Sequence, residues 1–154
     1  MSSFFCDSSA IAKRYAGESG SAWIIQQTDP ESGNAIYLAR ITVVEVASAI
    51  TRRMVEGTLS AVDAAAGIAN LNHDFIRQYR VVEITKPLVE RAVSLVQSHG
   101  LRAYDAVQLA ALIEINADRA SLKLPALTLI SADLALNAAA TAEGLAVDDP
   151  NTHP

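Results

Sequence analysis

The chain has one cysteine, Cys6, no CxxC pair and no His/Cys cluster. An internal disulfide is therefore excluded, and a structural zinc site has no thiolate–imidazole ligand set. A lone thiol is consistent with a reducing cytoplasm. No apolar run reaches the ~20 residues of a membrane-spanning helix. The opening MSSFFCDSSA has neither a basic leader nor a long apolar stretch, which argues against a secretory signal peptide. Internal repeats, low-complexity tracts and linkers are also missing. Positive charge is not in excess: 12 Lys and Arg face 17 Asp and Glu, a net charge of −5. A globally basic nucleic-acid-binding surface is thereby excluded, although a local one is not.

What is present is a compact globular composition, 51% hydrophobic and 19% charged over 154 residues. That fits one domain with a real core, here expected over 1–150, followed by a loose tail at 151–154. Short apolar runs at 3–6, 35–40, 81–84, 127–130 and 145–147 read as strands. Between them lie stretches with helical apolar spacing. Val43, Val46, Ala47, Ile50 and Met54 mark one such stripe, and Ala106, Leu109, Ala110 and Ile113 another. Gly57, Gly100 and Gly144 sit where helices should stop. Strands alternating with helices predict an α/β fold, a three-layer α/β/α sandwich on a five-stranded, mainly parallel sheet.

Four acidic residues stand at the edges of these elements: Asp7, Glu45, Asp105 and Asp133. In an open α/β sheet, sites gather outside the carboxyl ends of the strands. Asp7 directly follows the first strand and Asp133 lies three residues past the fourth. Glu45 and Asp105 fall near the starts of helices that can reach the same rim. Taken singly, each has a structural reading. Asp7 and Asp133 suit helix caps, Glu45 completes a Thr42-x-x-Glu45 capping box, and Asp105 suits a helix N-terminus. Gathered together, they form an oxygen-rich site for hard cations such as Mg²⁺ or Mn²⁺. Setting these four aside leaves 13 acids against 12 bases, a balance of only −1.

Five segments carry a family resemblance: DSSAIAKRY at 7–15, TVVEVASA at 42–49, LRAYDAVQLA at 101–110, SAD at 131–133 and GLAVDDP at 144–150. In order and spacing they are similar to a PIN-domain ribonuclease, and specifically to a VapC-like toxin of a type II toxin–antitoxin pair. The resemblance implies a PIN-like fold, one or two Mg²⁺ or Mn²⁺ ions, and ligand or catalytic roles for Asp7, Glu45, Asp105 and Asp133. It further implies a cytoplasmic enzyme with an RNA substrate, a small antitoxin partner, a homodimeric state and no membrane association. Ser131 is expected to orient the last acid, and Ser8 either to orient the first or to cap its helix. Two departures stand out. Ala135 occupies a position where some relatives carry a further Asp, which bears on a second metal. Asp149 stands where the family often has Asn.

The expected chemistry is metal-assisted hydrolysis of an RNA phosphodiester, with no histidine base. Lys13, Arg14, Arg52 and Arg102 lie near the acids and could grip phosphate, or could simply be the cations of exposed helices. Three rival functions remain open on the sequence. One is a DNA- or structure-specific PIN-like nuclease, and another a catalytically silent nucleic-acid or protein-binding module. The third, a phosphotransferase with Asp7 as nucleophile, is disfavoured because Asp7-Ser8-Ser9 lacks the second aspartate of the common D-x-D pattern.

Overall fold

The computed structural model describes residues 1–153. Five strands form one sheet in the order β3-β2-β1-β4-β5. They are β1 (Ser3–Cys6), β2 (Ala35–Ala39), β3 (Arg80–Val82), β4 (Thr128–Ile130) and β5 (Val147–Asp148), and every pairing is parallel. Seven α-helices connect them: α1 (Ser8–Tyr15), α2 (Ser21–Thr28), α3 (Thr42–Val55), α4 (Ala61–Arg77), α5 (Lys86–His99), α6 (Ala103–Ser121) and α7 (Leu134–Ala142). This is the three-layer parallel architecture that the strand–helix alternation predicts. The strand ends differ by one or two residues, as expected for strands held by few ladder bonds.

Side-chain alternation along the strands builds two cores, one on each face. Phe5, Tyr37, Ala39 and Leu129 point to the layer of α5, α6 and α7, where they meet Leu88, Leu109, Leu112 and Leu136. Cys6, Ile36, Leu38 and Ile130 point to the layer of α1–α4, against Ile11, Val46, Ile50 and Leu71. Helical spacing matches this placement. In α5 the buried residues are Leu88, Ala92 and Leu95. Thr85 caps the start of that helix and Gly100, at φ +64°, ends it. Within α4, Gly67 lets the helix lie close to α1, since a Cβ there would come within 3.1 Å of the Tyr15 carbonyl oxygen. None of the helices among the described residues is long and apolar enough to cross a membrane.

The segment after Pro150 departs from the expected loose tail. Pro150–Thr152 form a short 3-10 helix, and Asp149 caps it by accepting from the Asn151 amide at 2.8 Å. His153 stacks on Trp23 with ring centroids 4.1 Å apart and planes 5° from parallel. Its Nε2 also meets Asp148 Oδ1 at 2.7 Å. Aromatic stacking and a hydrogen bond thus hold His153 against Trp23 and Asp148. Pro154 lies outside the described residues.

Candidate active site

The carboxyl ends of β1 and β4 lie side by side, joined by the Asp7 amide donating to the Ile130 carbonyl at 3.2 Å. After β1 the chain enters the α1–α4 layer, and after β4 it enters the opposite layer. This is a topological switch point, where an open parallel sheet leaves a crevice. A groove of about 780 Å³ opens there, with Glu45, Asp133, Arg52, Arg102 and Tyr104 among its lining residues.

Asp7 is only 2% exposed and directly precedes Ser8 and Ser9, which line the groove. It is the N-cap of α1, with Oδ1 accepting from the Ala10 amide at 3.0 Å. The Ser9 hydroxyl reaches Oδ1 at 2.7 Å, and the Ser131 hydroxyl donates to Oδ2 at 3.0 Å. Ser131 in turn accepts from the Asp133 amide, also at 3.0 Å, which ties the first and last acids through one buried hydroxyl. Burial pushes the Asp7 carboxyl up to about 7, against the hydrogen bonds of Ser9, Ala10 and Ser131, and the nearby charge of Glu45 adds to the rise.

Glu45 projects from the first turn of α3. The capping box expected with Thr42 does not form: the helix begins after Ile41 with no side-chain cap. Instead, the Gln108 amide donates to Thr42 Oγ1 at 2.9 Å and to Glu45 Oε1 at 2.8 Å. The other Glu45 oxygen accepts from the Ser8 hydroxyl at 3.0 Å. Ser8 therefore serves the second acid rather than Asp7, and Ser9 takes the place expected for Ser8. A helix turns by about 100° per residue, so adjacent serines face different elements.

Asp105 is half-buried in the first turn of α6. Its carboxyl is held above the usual range by burial first, then by the charges of Asp133 and Glu45, with Arg102 opposing. Asp133 caps α7 through the Leu136 amide at 2.9 Å and also lines the groove. Asp133 is thus both a helix cap and a groove residue, whereas Asp7 caps α1 and is not among the residues lining the groove. The Glu45 charge is felt at Asp7 and Asp105 and the Asp133 charge at Asp105, which links the four acids electrostatically. Among the described residues, however, no three His, Cys, Asp or Glu side chains stand close enough to hold one ion together.

The donor chemistry fits a hard divalent cation. All four side chains offer oxygen, and the like charges that raise the Asp7 and Asp105 carboxyls are relieved by positive charge. Glu45 is already oriented by partners of the kind that steady a metal ligand. Mg²⁺ commonly retains waters, so carboxylates need not all touch it directly.

The cations divide. Arg52 and Arg102 are exposed, line the groove and make no salt bridge among the described residues. Lys13 also lines it but is 4% exposed, and its Nζ is bound to the Ser19 carbonyl at 2.9 Å and to Glu18 at 3.4 Å. Arg14 is not at the groove. It reaches the Thr28 carbonyl at 2.7 Å and Asp74 at 3.3 Å, so its charge is spent holding α1 to α2 and α4. The Cys6 thiol is fully buried and burial pushes it well above its usual range, which leaves it as core.

Sequence reasoning passed over Ser9 and Gln108. The signal for Gln108 is a polar residue inside the apolar run AVQLAAL, since a buried amide must find partners. It lies three residues after Asp105, on the same helix face.

The PIN domain family model matches residues 4–144, and the chain belongs to that family. No match was found among curated proteins. Several solved structures share the fold. One is a Pyrobaculum aerophilum protein, 20% identical, covering 99% of this chain and 92% of its own at a TM-score of 0.60. Another is VapBC2 of Rickettsia felis bound to a promoter DNA fragment, 9% identical, covering 96% of this chain and 98% of its own at a TM-score of 0.61. A third is Mycobacterium tuberculosis VapC20, titled a sarcin-ricin loop cleaving toxin, 17% identical, covering 88% of this chain and 94% of its own at 0.61.

Proposed function

We propose that the chain is a metal-dependent endoribonuclease and the toxin of a toxin–antitoxin pair. The observation that carries this reading is the groove at the β1/β4 switch point, where Glu45 and Asp133 face Arg52 and Arg102. Acids that attract a cation and cations that attract phosphate share one opening. PIN family membership and the structural likeness to VapC20, a sarcin-ricin loop cleaving toxin, support the same reading. The Rickettsia felis relative was solved as a VapBC assembly, in line with a small protein partner. A second copy of the chain, one or two bound ions and a cytoplasmic setting complete the proposal.

Asp7, Glu45, Asp105 and Asp133 would hold the ion, in part through the waters it retains rather than all by direct contact. Bound Mg²⁺ or Mn²⁺ supplies an activated water and offsets charge on the phosphoryl and leaving oxygens. Gln108 and Ser8 fix the two oxygens of Glu45, while Ser9 and Ser131 fix Asp7. Arg52 and Arg102 orient the phosphate backbone along the groove.

The test is cleavage of labelled RNA and DNA by purified protein with Mg²⁺ or Mn²⁺, repeated in chelator, beside Asp7→Asn and Asp105→Asn. Expected is metal-dependent cutting of RNA that drops by orders of magnitude in both folded variants. Full activity in chelator, or in either variant, refutes the mechanism. Preferential cutting of DNA replaces the substrate assignment.

A further inference from the structure

Resting on the ribonuclease reading, we infer that Tyr104 is a base-stacking residue of this groove and selects an unstacked nucleobase beside the phosphate to be cut. The chain has four tyrosines, and three are committed elsewhere. The Tyr15 hydroxyl meets Asp74 at 2.7 Å and Tyr79 at 2.6 Å. Tyr37 accepts from Arg80 at 3.0 Å and Arg119 at 3.2 Å. Tyr104 is different. Its side chain is 58% exposed, and among the described residues it has no hydrogen bond, aromatic partner or stacked cation.

Its position gives that exposed ring a use. Tyr104 lies in the first turn of α6, two residues after Arg102 and one before Asp105, and it lines the groove. Val44, 60% exposed and one residue before Glu45, lines the groove from α3. Each of these two acids thus has an apolar neighbour on the groove wall, with Arg52 and Arg102 nearby. Acids, guanidinium groups and a flat apolar ring correspond to the needs of a cation, a phosphate and a base. Bases inside a duplex already stack on one another and offer no face. The groove therefore suits a single-stranded or looped segment. The ring stands on a helix rather than a loop, so it is pre-positioned and loses little entropy on binding.

The test compares wild type, Tyr104→Phe and Tyr104→Ala in equilibrium binding, with chelator present to prevent cutting. The probes are a short single-stranded RNA, its duplex and an all-abasic strand of equal length. Melting curves check that the variants are folded. Expected for Tyr104→Ala is a loss of about 10- to 100-fold in single-strand affinity, the size of base–aromatic stacking. Tyr104→Phe keeps the affinity, and on the abasic strand all three proteins bind alike. Unchanged single-strand affinity in Tyr104→Ala, or an equal loss on the abasic strand, overturns the inference while leaving the nuclease reading intact. In the first case the ring is returned to protein docking. Failure of wild type to bind any RNA, together with no cutting of RNA when Mg²⁺ or Mn²⁺ is supplied, overturns both.

Discussion

Gln108 Nε2 lies 2.8 Å from Glu45 Oε1, a side-chain bond that spans 63 residues of sequence and links α6 to α3. The same amide holds Thr42, while the Gln108 carbonyl oxygen is buried with no partner among the described residues. A buried amide left half-satisfied costs stability. Its retention beside Glu45 is explained by the orientation it imposes on that carboxylate.

Replacing Gln108 by Leu removes the orphaned carbonyl and leaves Glu45 with Ser8 alone. The melting temperature should fall modestly, because the bonds to Thr42 and Glu45 are both lost and relief of the unpaired carbonyl offsets only part of that. Mn²⁺ affinity should fall by roughly 10- to 100-fold, the usual effect of losing a partner behind a ligand. Calorimetric titration of Mn²⁺ beside a melting curve reads both quantities, and wild-type affinity in the variant removes the positioning role.

Asp7 is expected to make the stability of the protein in chelator depend on pH. Its carboxyl titrates at about 7 in the fold against an ordinary value of 3.8. Between those values the folded chain keeps a proton that the unfolded chain releases. Stability should therefore decline as pH rises from about 4 to 7 and level off above that. The full difference is on the order of 4 kcal/mol. Denaturant unfolding in chelator across that range measures the slope. Asp7→Asn should flatten it, and a wild-type slope of zero or opposite sign contradicts the assignment.

Arg52, at the groove, and Arg14, held between helices, should separate by assay. Arg52→Glu is expected to weaken RNA binding and to reduce the slope of log affinity against log salt by about 1 or more. Arg14→Ala should leave RNA affinity alone and lower the melting temperature, since it loses Thr28 and Asp74 as partners. Filter binding at several salt concentrations, paired with thermal melts, tells whether the two substitutions exchange these outcomes.

Gly20 sits at φ +81°, and a Cβ there would run into the Pro150 carbonyl. Gly20→Ala should cost about 1–3 kcal/mol through strain and the collision. It should also loosen the stack of His153 on Trp23. A lower melting temperature with a red-shifted Trp23 emission is the expected pair of readings. Unchanged emission would detach the chain end from the glycine.

Much of the architecture is legible in one dimension because it depends on local periodicity. The pattern at Val46 and Ile50, or at Leu88, Ala92 and Leu95, states which face of a helix is buried. Asp7 and Asp133 are recognisable as residues just past strands, and strand ends are where a parallel sheet opens. The partners of those acids are another matter. Ser8 and Ser9 are chemically identical neighbours, and only their rotation about α1 sends one to Glu45 and the other to Asp7. Thr42 and Glu45 satisfy a capping rule in sequence, yet a buried amide from α6 takes both. The order Lys13-Arg14 says nothing of which cation reaches the groove and which is absorbed between helices.

The amino-acid order alone determined the alternation of strands and helices, the two buried faces and the placement of carboxylates at element ends. These follow from period-2 and period-3.6 patterning and from chain chemistry within a few residues. Only the tertiary structure decided that Ser131 bridges Asp7 to Asp133, that Gln108 rather than Thr42 governs Glu45, and that Tyr104 is left open beside Asp105. Such contacts join residues up to 124 positions apart. Their energies depend on distance and burial in the folded chain, neither of which a local pattern encodes.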